Sequence, residues 1–303
     1  MRAPRRRSHL TLAITAALVL AGCSRGTSGS ISIASPTLSA AASATASPPA
    51  PTASADVTIL ALGDSTVWDH DCVDCSHSYP HQLRAALAKA TGKQIALVDA
   101  TQQNSLTATL LLQEITADSW TAPTEDPQAP SPETAIAGAD IVTITLGAND
   151  APWQKDDDPV CMGNWQTKTC TDAVVTPSID ALGKVLDAVH TLRKGKPTSI
   201  RVTNFYNELI ASPTYAPDRP QKWIDKGKTT AKAFSDVLNA NICATATAHD
   251  ALCIDIYHAI NGPQGMKALP SNWFIWPGHP RGYDQTFTAQ ALLRSGFAPL
   301  ALG

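Results

Sequence analysis

Hydrophobic and polar positions follow two different spacings along the chain from residue 56 onward. Short runs of apolar, strand-forming residues predict buried β-strands, whereas apolar residues three or four positions apart predict helices with one buried face. The runs that predict strands are Val57–Leu62, Gln94–Val98, Asp140–Leu146, Ser199–Phe205 and Leu252–Ile256. The stretches that predict helices are Tyr79–Ala90, Ser105–Ile115, Thr176–Leu192, Lys222–Ala246 and Asp284–Leu293.

Strand and helix alternate throughout this part of the chain. Such alternation is typical of a three-layer α/β/α domain with a doubly wound parallel sheet, here of about five strands. In open sheets of this kind, sites form in the loops beyond the carboxyl ends of the strands. Two polar segments, Gly63-Asp64-Ser65 and Gly147-Ala148-Asn149-Asp150, directly follow predicted strands. We therefore expect them on the same edge of the sheet.

The amino terminus has the pattern of an export signal. Four arginines in Met1–Arg7 precede an apolar run over Leu10–Leu20, which is too short to span a bilayer as a mature helix. The segment Leu20-Ala21-Gly22-Cys23 resembles the lipobox of bacterial lipoproteins. This resemblance implies a signal peptide over residues 1–22, a lipid on Cys23 and a place on the outer face of the cell membrane. The alternative is ordinary cleavage and secretion, with Cys23 incidental.

Composition divides the rest of the chain into a tether and one large domain. Residues 23–55 are almost entirely Ser, Thr, Ala, Pro and Gly, a composition that cannot bury enough surface to fold. Residues 56–303 are long enough for a single core. The signal holds four of the 23 Lys and Arg and none of the 26 Asp and Glu, which leaves 19 against 26 and a net charge of −7. Because no basic run survives cleavage, we expect no nucleic-acid partner.

The cysteines are even in number once Cys23 is set aside. The remaining six suggest three disulfides in an exported chain, with about 15 connectivities formally possible. Proximity in sequence favours Cys72–Cys75, Cys161–Cys170 and Cys243–Cys253. Alternatively, the Cys72-x-x-Cys75 motif is redox-active, or forms a metal site together with His70, Asp71, Asp74 and His77.

Three short motifs together resemble the SGNH (GDSL) hydrolases, over essentially all of Asp56–Gly303. They are Gly63-Asp64-Ser65, Gly147-Ala148-Asn149-Asp150 and His279-Pro280, in the order of the family's blocks. The resemblance implies an SGNH/flavodoxin-like fold with Ser65 as nucleophile and His279 as base. It also implies an oxyanion hole formed by the Ser65 backbone N–H and the Asn149 carboxamide.

The sequence departs from the family's pattern at two positions. The third oxyanion donor is usually the N–H of a glycine, and Asn104 stands at that place in Asp99–Thr107. The family usually carries an Asp three residues before the base, and Trp276 stands there, with no carboxylate in Ala268–Arg281. We therefore predict a Ser65–His279 dyad in which a backbone carbonyl near Trp276 orients the imidazole.

These motifs predict a monomeric serine ester hydrolase that works through an acyl-enzyme and needs no metal or organic cofactor. The substrates that the resemblance permits are carboxylic esters, lipids and acetyl esters, and one alternative is a carbohydrate O-deacetylase. A second alternative is a non-catalytic binding lipoprotein on the hydrolase scaffold, motivated by the missing Asp. His258 and His81 are rival candidates for the base.

Overall fold

The computed structural model describes residues 55–68, 77–103, 105–150, 167–207, 221–267, 274–276, 279–280 and 282–302. For residues 221–228, 274–276, 279–280 and 282–284 it describes the backbone alone. The predicted signal peptide and Cys23, most of the tether, and Cys72, Cys75, Asn104 and Cys161 lie outside these ranges.

A five-stranded parallel sheet forms the centre of the domain. Its strands are β1 (Val57–Gly63), β2 (Ile95–Asp99), β3 (Ile141–Thr145), β4 (Ser199–Thr203) and β5 (Leu252–Ile254). They are hydrogen-bonded in the order β2-β1-β3-β4-β5. Ala61 pairs with Asp99 and Gly63 with Thr145, so the carboxyl ends of β2, β1 and β3 lie side by side. The predicted fold class is thereby confirmed.

Seven helices and a short hairpin complete the described part of the chain. The helices are α1 (Tyr79–Thr91), α2 (Ala108–Ala117), α3 (Pro132–Gly138), α4 (Lys168–Arg193), α5 (Gln221–Ala248), α6 (Ile256–Asn261) and α7 (Gly282–Arg294). The hairpin pairs β6 (Phe274–Trp276) with β7 (His279–Pro280). Helix α1 packs against α7, whereas α4 packs against α2, α3 and α5. No helix within the described ranges combines the length and the apolar character that crossing a bilayer requires.

Apolar side chains from both layers bury the sheet, as the strand and helix patterns predict. Ile59, Leu60 and Leu62 of β1 are fully buried, and Leu83 and Leu87 of α1 join the same core. Side chains in adjacent strand positions are buried because helices cover both faces of the sheet.

Helix α4 begins eight residues before the predicted start at Thr176-Pro177. Thr167 is its N-cap, and the Thr167 side chain accepts a hydrogen bond from the Cys170 backbone N–H at 3.3 Å. Pro177 lies inside the helix, where it removes one backbone donor. Burial of Cys170 and Val175 accompanies the extra turns and favours the longer helix.

Strand β5 ends two residues before its predicted end. The Asp255 side chain accepts a hydrogen bond from the His258 backbone N–H at 3.1 Å and so caps α6, a helix that the apolar pattern did not predict. A disulfide joins Cys243 of α5 to Cys253 of β5, the pairing expected from their proximity in sequence. Cys170 is also disulfide-bonded.

Candidate active site

Ser65 lies in a tight turn at the carboxyl end of β1, which we call the Ser65 turn (Asp64–Val67). The Val67 backbone N–H donates to the Asp64 carbonyl at 3.1 Å and closes the turn. The Asp64 Oδ1 atom accepts from the Thr66 N–H at 2.9 Å and from the Thr66 hydroxyl at 2.6 Å. These bonds fix the backbone on both sides of Ser65, which is 9% exposed.

Gly63 precedes the turn at a place where a side chain would not fit. A Cβ atom there would lie 2.7 Å from Val67 Cγ2 and 3.1 Å from the Thr145 carbonyl oxygen. The Asp64 N–H donates to that same oxygen at 3.2 Å, so the backbone must approach β3 closely. The glycine of the Gly-Asp-Ser motif therefore has a packing reason in this chain.

Asp64 fixes the turn but sits in an unfavourable place for a charge. Its side chain is buried, and its Oδ2 accepts no hydrogen bond within the described part of the chain. Burial raises the pKa of Asp64 to about 7, hydrogen bonds from Thr66 oppose the rise, and the nearby charge of Asp150 adds to it. These contacts give Asp64 a role in fixing the loop.

The loop after β3 brings Asn149 next to the Ser65 turn. Strands β1 and β3 are hydrogen-bonded neighbours, so their axes are about 4.8 Å apart. The Asn149 Nδ2 donates to the Leu106 carbonyl at 3.2 Å, and Asp150 Oδ2 accepts from the Ala108 N–H at 3.4 Å. Both side chains thus hold the start of α2. Gly147 has φ +124°, a conformation that favours glycine.

The predicted third oxyanion donor, Asn104, falls between two well-anchored segments. On one side, the Gln102 N–H donates to the Gly63 carbonyl at 2.9 Å, next to the Ser65 turn. On the other side, Leu106 contacts Asn149 as described. Asn104 itself lies outside the described residues, so its role stays a prediction.

A buried glutamine of α7 joins the Ser65 turn to α1, and the motifs gave no sign of it. The Gln285 Nε2 donates to the Thr66 carbonyl at 2.9 Å, and its Oε1 accepts from the Tyr79 N–H at 2.9 Å. Gln285 is 3% exposed. Tyr79 is the first residue of α1, and its N-cap Ser78 forms no side-chain capping bond. Gln285 therefore supplies a cap from another helix.

Polar side chains beneath the turn anchor α1 to the centre of the sheet. The Tyr79 hydroxyl contacts Thr145 Oγ1 at 2.9 Å and donates to Thr143 Oγ1 at 3.3 Å. Thr203 Oγ1 in turn donates to Thr145 Oγ1 at 2.8 Å. Burial raises the pKa of Tyr79 to about 12, so its hydroxyl stays protonated and serves as a structural donor.

The predicted base lies on the hairpin that precedes α7. His279 of β7 pairs with Trp276 of β6 in the antiparallel register, so their backbones are adjacent. The side chains of both residues lie outside the described part. The Ser65–His279 dyad and the contact to a carbonyl near Trp276 therefore stay predictions.

The rival base His258 has the carboxylate partner that His279 lacks in sequence. Its Nδ1 lies 2.7 Å from Asp255 Oδ2, and Asp255 Oδ1 accepts from Asn204 Nδ2 at 2.8 Å. Burial acts to raise the pKa of Asp255, but the hydrogen bonds from Asn204 and His258 outweigh it and lower that pKa. The pair borders a cavity of about 380 Å³ that Lys232 also lines. The spacing Asp255-x-x-His258 was visible in the sequence as a D-x-x-H pattern and was missed.

The other rival, His81, contacts a different carboxylate. Its Nε2 lies 3.7 Å from Oδ2 of Asp99, at the carboxyl end of β2.

Comparison with known proteins agrees with this fold. Residues 61–280 match the model of the GDSL-like Lipase/Acylhydrolase family. No curated protein has a sequence that matches the chain significantly.

Three solved structures illustrate the shared fold. A lipase, Lip_vut3, from a goat rumen metagenome is 16% identical with a TM-score of 0.53, covering 82% of this chain and 100% of its own. A phospholipase A1 from Streptomyces albidoflavus is 16% identical with a TM-score of 0.51, covering 80% and 100%. An acetylxylan esterase from Geobacillus stearothermophilus is 16% identical with a TM-score of 0.50, covering 79% and 94%.

Proposed function

Because the chain belongs to the GDSL-like lipase/acylhydrolase family and is thus an esterase/lipase-like hydrolase, we propose that Ser65 is its nucleophile. In this proposal the enzyme cleaves carboxylic esters through an acyl-enzyme. The base is His279, and the oxyanion donors are the Ser65 N–H and the Asn149 carboxamide.

One observation carries the proposal: the Ser65 turn and the Asn149 loop follow two hydrogen-bonded strands at the same end of the sheet. This brings together residues that are 84 positions apart in the chain. The Asn149 Nδ2 carries two hydrogens, and its bond to Leu106 uses one of them. The same bond orients the carboxamide before substrate arrives, which is what oxyanion stabilisation requires.

The chemistry proceeds in two halves. His279 takes the proton of the Ser65 hydroxyl as its oxygen attacks the ester carbonyl, and the resulting oxyanion accepts hydrogen bonds from the donors. Collapse of this intermediate breaks the ester bond, and the imidazolium returns the proton to the leaving alcohol. The same imidazole then deprotonates a water molecule that attacks the acyl-enzyme. The imidazolium returns this proton to the Ser65 oxygen as its bond to the acyl group breaks and the acid leaves.

The order of the strands supports His279 over His258 as the base. Strands β3 and β4 separate β1 from β5, so β5 lies about 14 Å from β1, whereas proton transfer needs atoms about 3 Å apart. His258 is in the first turn after β5. His279, by contrast, lies six residues before Gln285, which is bonded to the Ser65 turn.

A carbonyl near Trp276 would hold the imidazole of His279 in the required tautomer. The antiparallel pairing of Trp276 with His279 supports this idea because it brings the two backbones together. Loss of the orienting carboxylate in the subtilisin triad lowers the rate by about 3 × 10⁴-fold. A carbonyl that orients the imidazole in its place would therefore restore a large part of the rate.

Labelling with a fluorophosphonate probe tests the nucleophile. We expect the wild-type chain to be labelled, Ser65→Ala to be unlabelled, and a control change at the exposed Ser119, Ser119→Ala, to be labelled like wild type. A wild-type chain that is neither labelled nor active on any ester would instead support the non-catalytic binding protein.

Hydrolysis rates of histidine variants test the base. We expect His279→Ala to lower kcat by at least about 10⁴-fold, in line with loss of the histidine in other serine hydrolases. His258→Ala should retain most of the activity. The opposite result would move the base to the Asp255–His258 pair and contradict the proposed dyad.

A single panel of esters tests which acyl group and which alcohol the substrate contains. Nitrophenyl esters of increasing chain length, a phospholipid and acetylated xylan together distinguish a short-chain esterase, a lipase and a carbohydrate O-deacetylase. A rate that falls steeply beyond the acetyl ester, combined with turnover of the xylan, would favour the deacetylase.

We also propose that the chain is exported and anchored through a lipid on Cys23. Cells that express the full chain should incorporate labelled palmitate into it, and Cys23→Ala should abolish incorporation. Equal labelling of both forms would refute the anchor, and release of the wild-type chain into the medium without label would indicate ordinary secretion.

A further inference from the structure

A second group of ionisable side chains lies beside the Ser65 turn, between α1 and the end of β2. It consists of His81 of α1, Asp99 at the end of β2 and Glu125 in the connection before α3, and we call it the His81 cluster. Each residue contributes one possible ligand atom, and these atoms all lie within 4.8 Å of one another. His81 Nε2 lies 3.7 Å from Asp99 Oδ2.

The backbone around the cluster is held in place independently of its side chains. The Asp126 N–H donates to the Asp99 carbonyl and the Glu125 N–H donates to the Thr101 carbonyl, both at 2.9 Å. These two bonds fix the connection that carries Glu125 against the end of β2. The cluster is therefore built on a rigid frame rather than on three freely moving surface residues.

The two oxygens of Asp99 have different surroundings. Its Oδ1 accepts from the Thr101 hydroxyl at 2.6 Å and from the Thr101 N–H at 3.2 Å, which orients the carboxylate. Its Oδ2 accepts no hydrogen bond from any described residue, although Asp99 is only 2% exposed. This oxygen faces His81 at a distance too long for a hydrogen bond. A buried carboxylate oxygen in this state costs free energy when it is charged, and a bound cation would offset that cost.

Charge and ligand type both favour a divalent metal ion. The imidazole of His81 carries at most one positive charge, whereas the carboxylates of Asp99 and Glu125 carry two negative charges when ionised. One imidazole nitrogen with two carboxylate oxygens is a ligand set that suits zinc and related first-row ions, while calcium prefers six to eight oxygens.

One of the observed spacings is close to what such an ion needs, and the ligand atom of Glu125 lies within 4.8 Å of the other two. Zinc binds nitrogen and carboxylate oxygen at about 2.0–2.2 Å, so two ligands in tetrahedral geometry are about 3.4 Å apart. The 3.7 Å between His81 Nε2 and Asp99 Oδ2 would need to shorten by only a few tenths of an ångström.

We propose that His81 Nε2, Asp99 Oδ2 and a carboxylate oxygen of Glu125 bind a divalent first-row transition-metal ion, with zinc as the probe. The fourth ligand would be water. The ion would join α1 and the connection before α3 to the segment after β2, which contains Gln102. Its role would be structural, and the proposal does not depend on the identity of the catalytic base.

Zinc titration of the chelator-treated full chain tests the proposal. We expect calorimetry to show one zinc per chain and thermal unfolding to shift to higher temperature with zinc. His81→Gln changes a partly exposed residue and should fold normally. It should weaken zinc binding by more than the 10- to 100-fold that is typical for residues outside the ligand set. Asp99→Asn should do the same and serves as the second ligand variant.

The pair His249 and Asp187 provides a matched control elsewhere in the fold. His249 Nδ1 lies 2.7 Å from Asp187 Oδ1, without a third ligand in the described surroundings. His249→Gln should leave the zinc affinity and the zinc-induced thermal shift unchanged.

Two results would overturn the proposal. A wild-type chain that binds no zinc would identify His81 and Asp99 as a simple ion pair. Zinc binding that persists equally in His81→Gln and Asp99→Asn would assign the metal to other residues, for example those around Cys72 and Cys75.

Discussion

Replacing Gln285 with leucine tests whether one buried side chain holds the Ser65 turn and α1 together. The glutamine accepts from the Tyr79 N–H and donates to the Thr66 carbonyl, both at 2.9 Å. Leucine has nearly the same size but can form neither bond. The substitution therefore removes the two hydrogen bonds while it largely preserves packing.

The expected loss of stability follows from what is left behind. A buried polar group that loses its partner costs about 1–3 kcal/mol. The Tyr79 N–H is buried and belongs to the first turn of α1, where no intrahelical acceptor exists, so it incurs this cost in full. The Thr66 carbonyl is only partly buried, so water recovers part of its loss. We expect the free energy of unfolding to fall by about 2–3 kcal/mol in total.

The assay is urea unfolding of the disulfide-intact protein, followed by tryptophan fluorescence and circular dichroism. Gln290 provides the matched control because it is an exposed glutamine on the same helix, and Gln290→Leu should change the free energy of unfolding by less than about 0.5 kcal/mol. The free energy of unfolding should depend on urea concentration with the same slope in the variant as in wild type. An unchanged slope would show that the variant exposes the same surface on unfolding.

Activity provides a second readout for Gln285. Because Thr66 adjoins the proposed nucleophile, Gln285→Leu should lower kcat more than it changes KM when measured well below the unfolding transition. A free energy of unfolding within about 0.5 kcal/mol of that of Gln290→Leu, together with an unchanged kcat, would refute the linking role.

Three further predictions concern the same edge of the sheet. Burial raises the pKa of Asp64 from 3.8 to about 7, so between these values the folded chain keeps a proton that the unfolded chain releases. The free energy of unfolding should therefore fall as pH rises through this window, by up to about 1.4 kcal/mol per pH unit, and Asp64→Asn should flatten the fall in urea unfolding measured at several pH values. Gly63→Ala should lower the free energy of unfolding by about 1–3 kcal/mol because of the contact with Val67, and adding Val67→Ala should relieve part of that strain, also measured with urea. Asn149→Ala should lower kcat by about 10²- to 10³-fold with little change in KM, measured on nitrophenyl esters; an unchanged kcat would remove Asn149 from the oxyanion hole.

The strands and the placement of the motifs were predictable from the sequence because both depend on local patterns. Four of the five strands of the sheet are mostly apolar, and β4 alternates apolar with polar residues. Gly63-Asp64-Ser65 and Gly147-Ala148-Asn149-Asp150 follow β1 and β3 as expected. Parallel strands put their carboxyl ends on one edge. The proximity of the Ser65 turn to the Asn149 loop then needed only one more fact, namely that β1 and β3 are neighbours.

Element boundaries were less predictable because tertiary burial competes with local signals. Pro177 is a good first-turn residue, and no local pattern indicates that Cys170 and Val175 are buried in an earlier part of the same helix. At Asp255 the stretch is apolar enough to continue as a strand, but the Asp255 side chain caps α6 there, so β5 ends and the helix begins. Burial against distant segments decided the start of α4, whereas a capping bond within three residues decided the end of β5.

The polar contacts that position the candidate site were the least predictable part, and the two glutamines of α7 show why. Gln285 and Gln290 are five residues apart, so helical geometry turns them about 140° from each other and at most one can face the core. Which one faces the core depends on α1 and the Ser65 turn, and Thr66 is 219 positions from Gln285 in sequence. A pattern of apolar residues assigns both glutamines to solvent. Such a pattern cannot identify a buried polar side chain whose hydrogen-bond partners come from distant segments. The same reasoning applies to the His81 cluster, whose three members come from α1, β2 and the connection before α3. Sites built from such contacts can be identified only once the fold is known, because their residues come from distant segments. A motif at a strand end, by contrast, can be identified from the sequence alone.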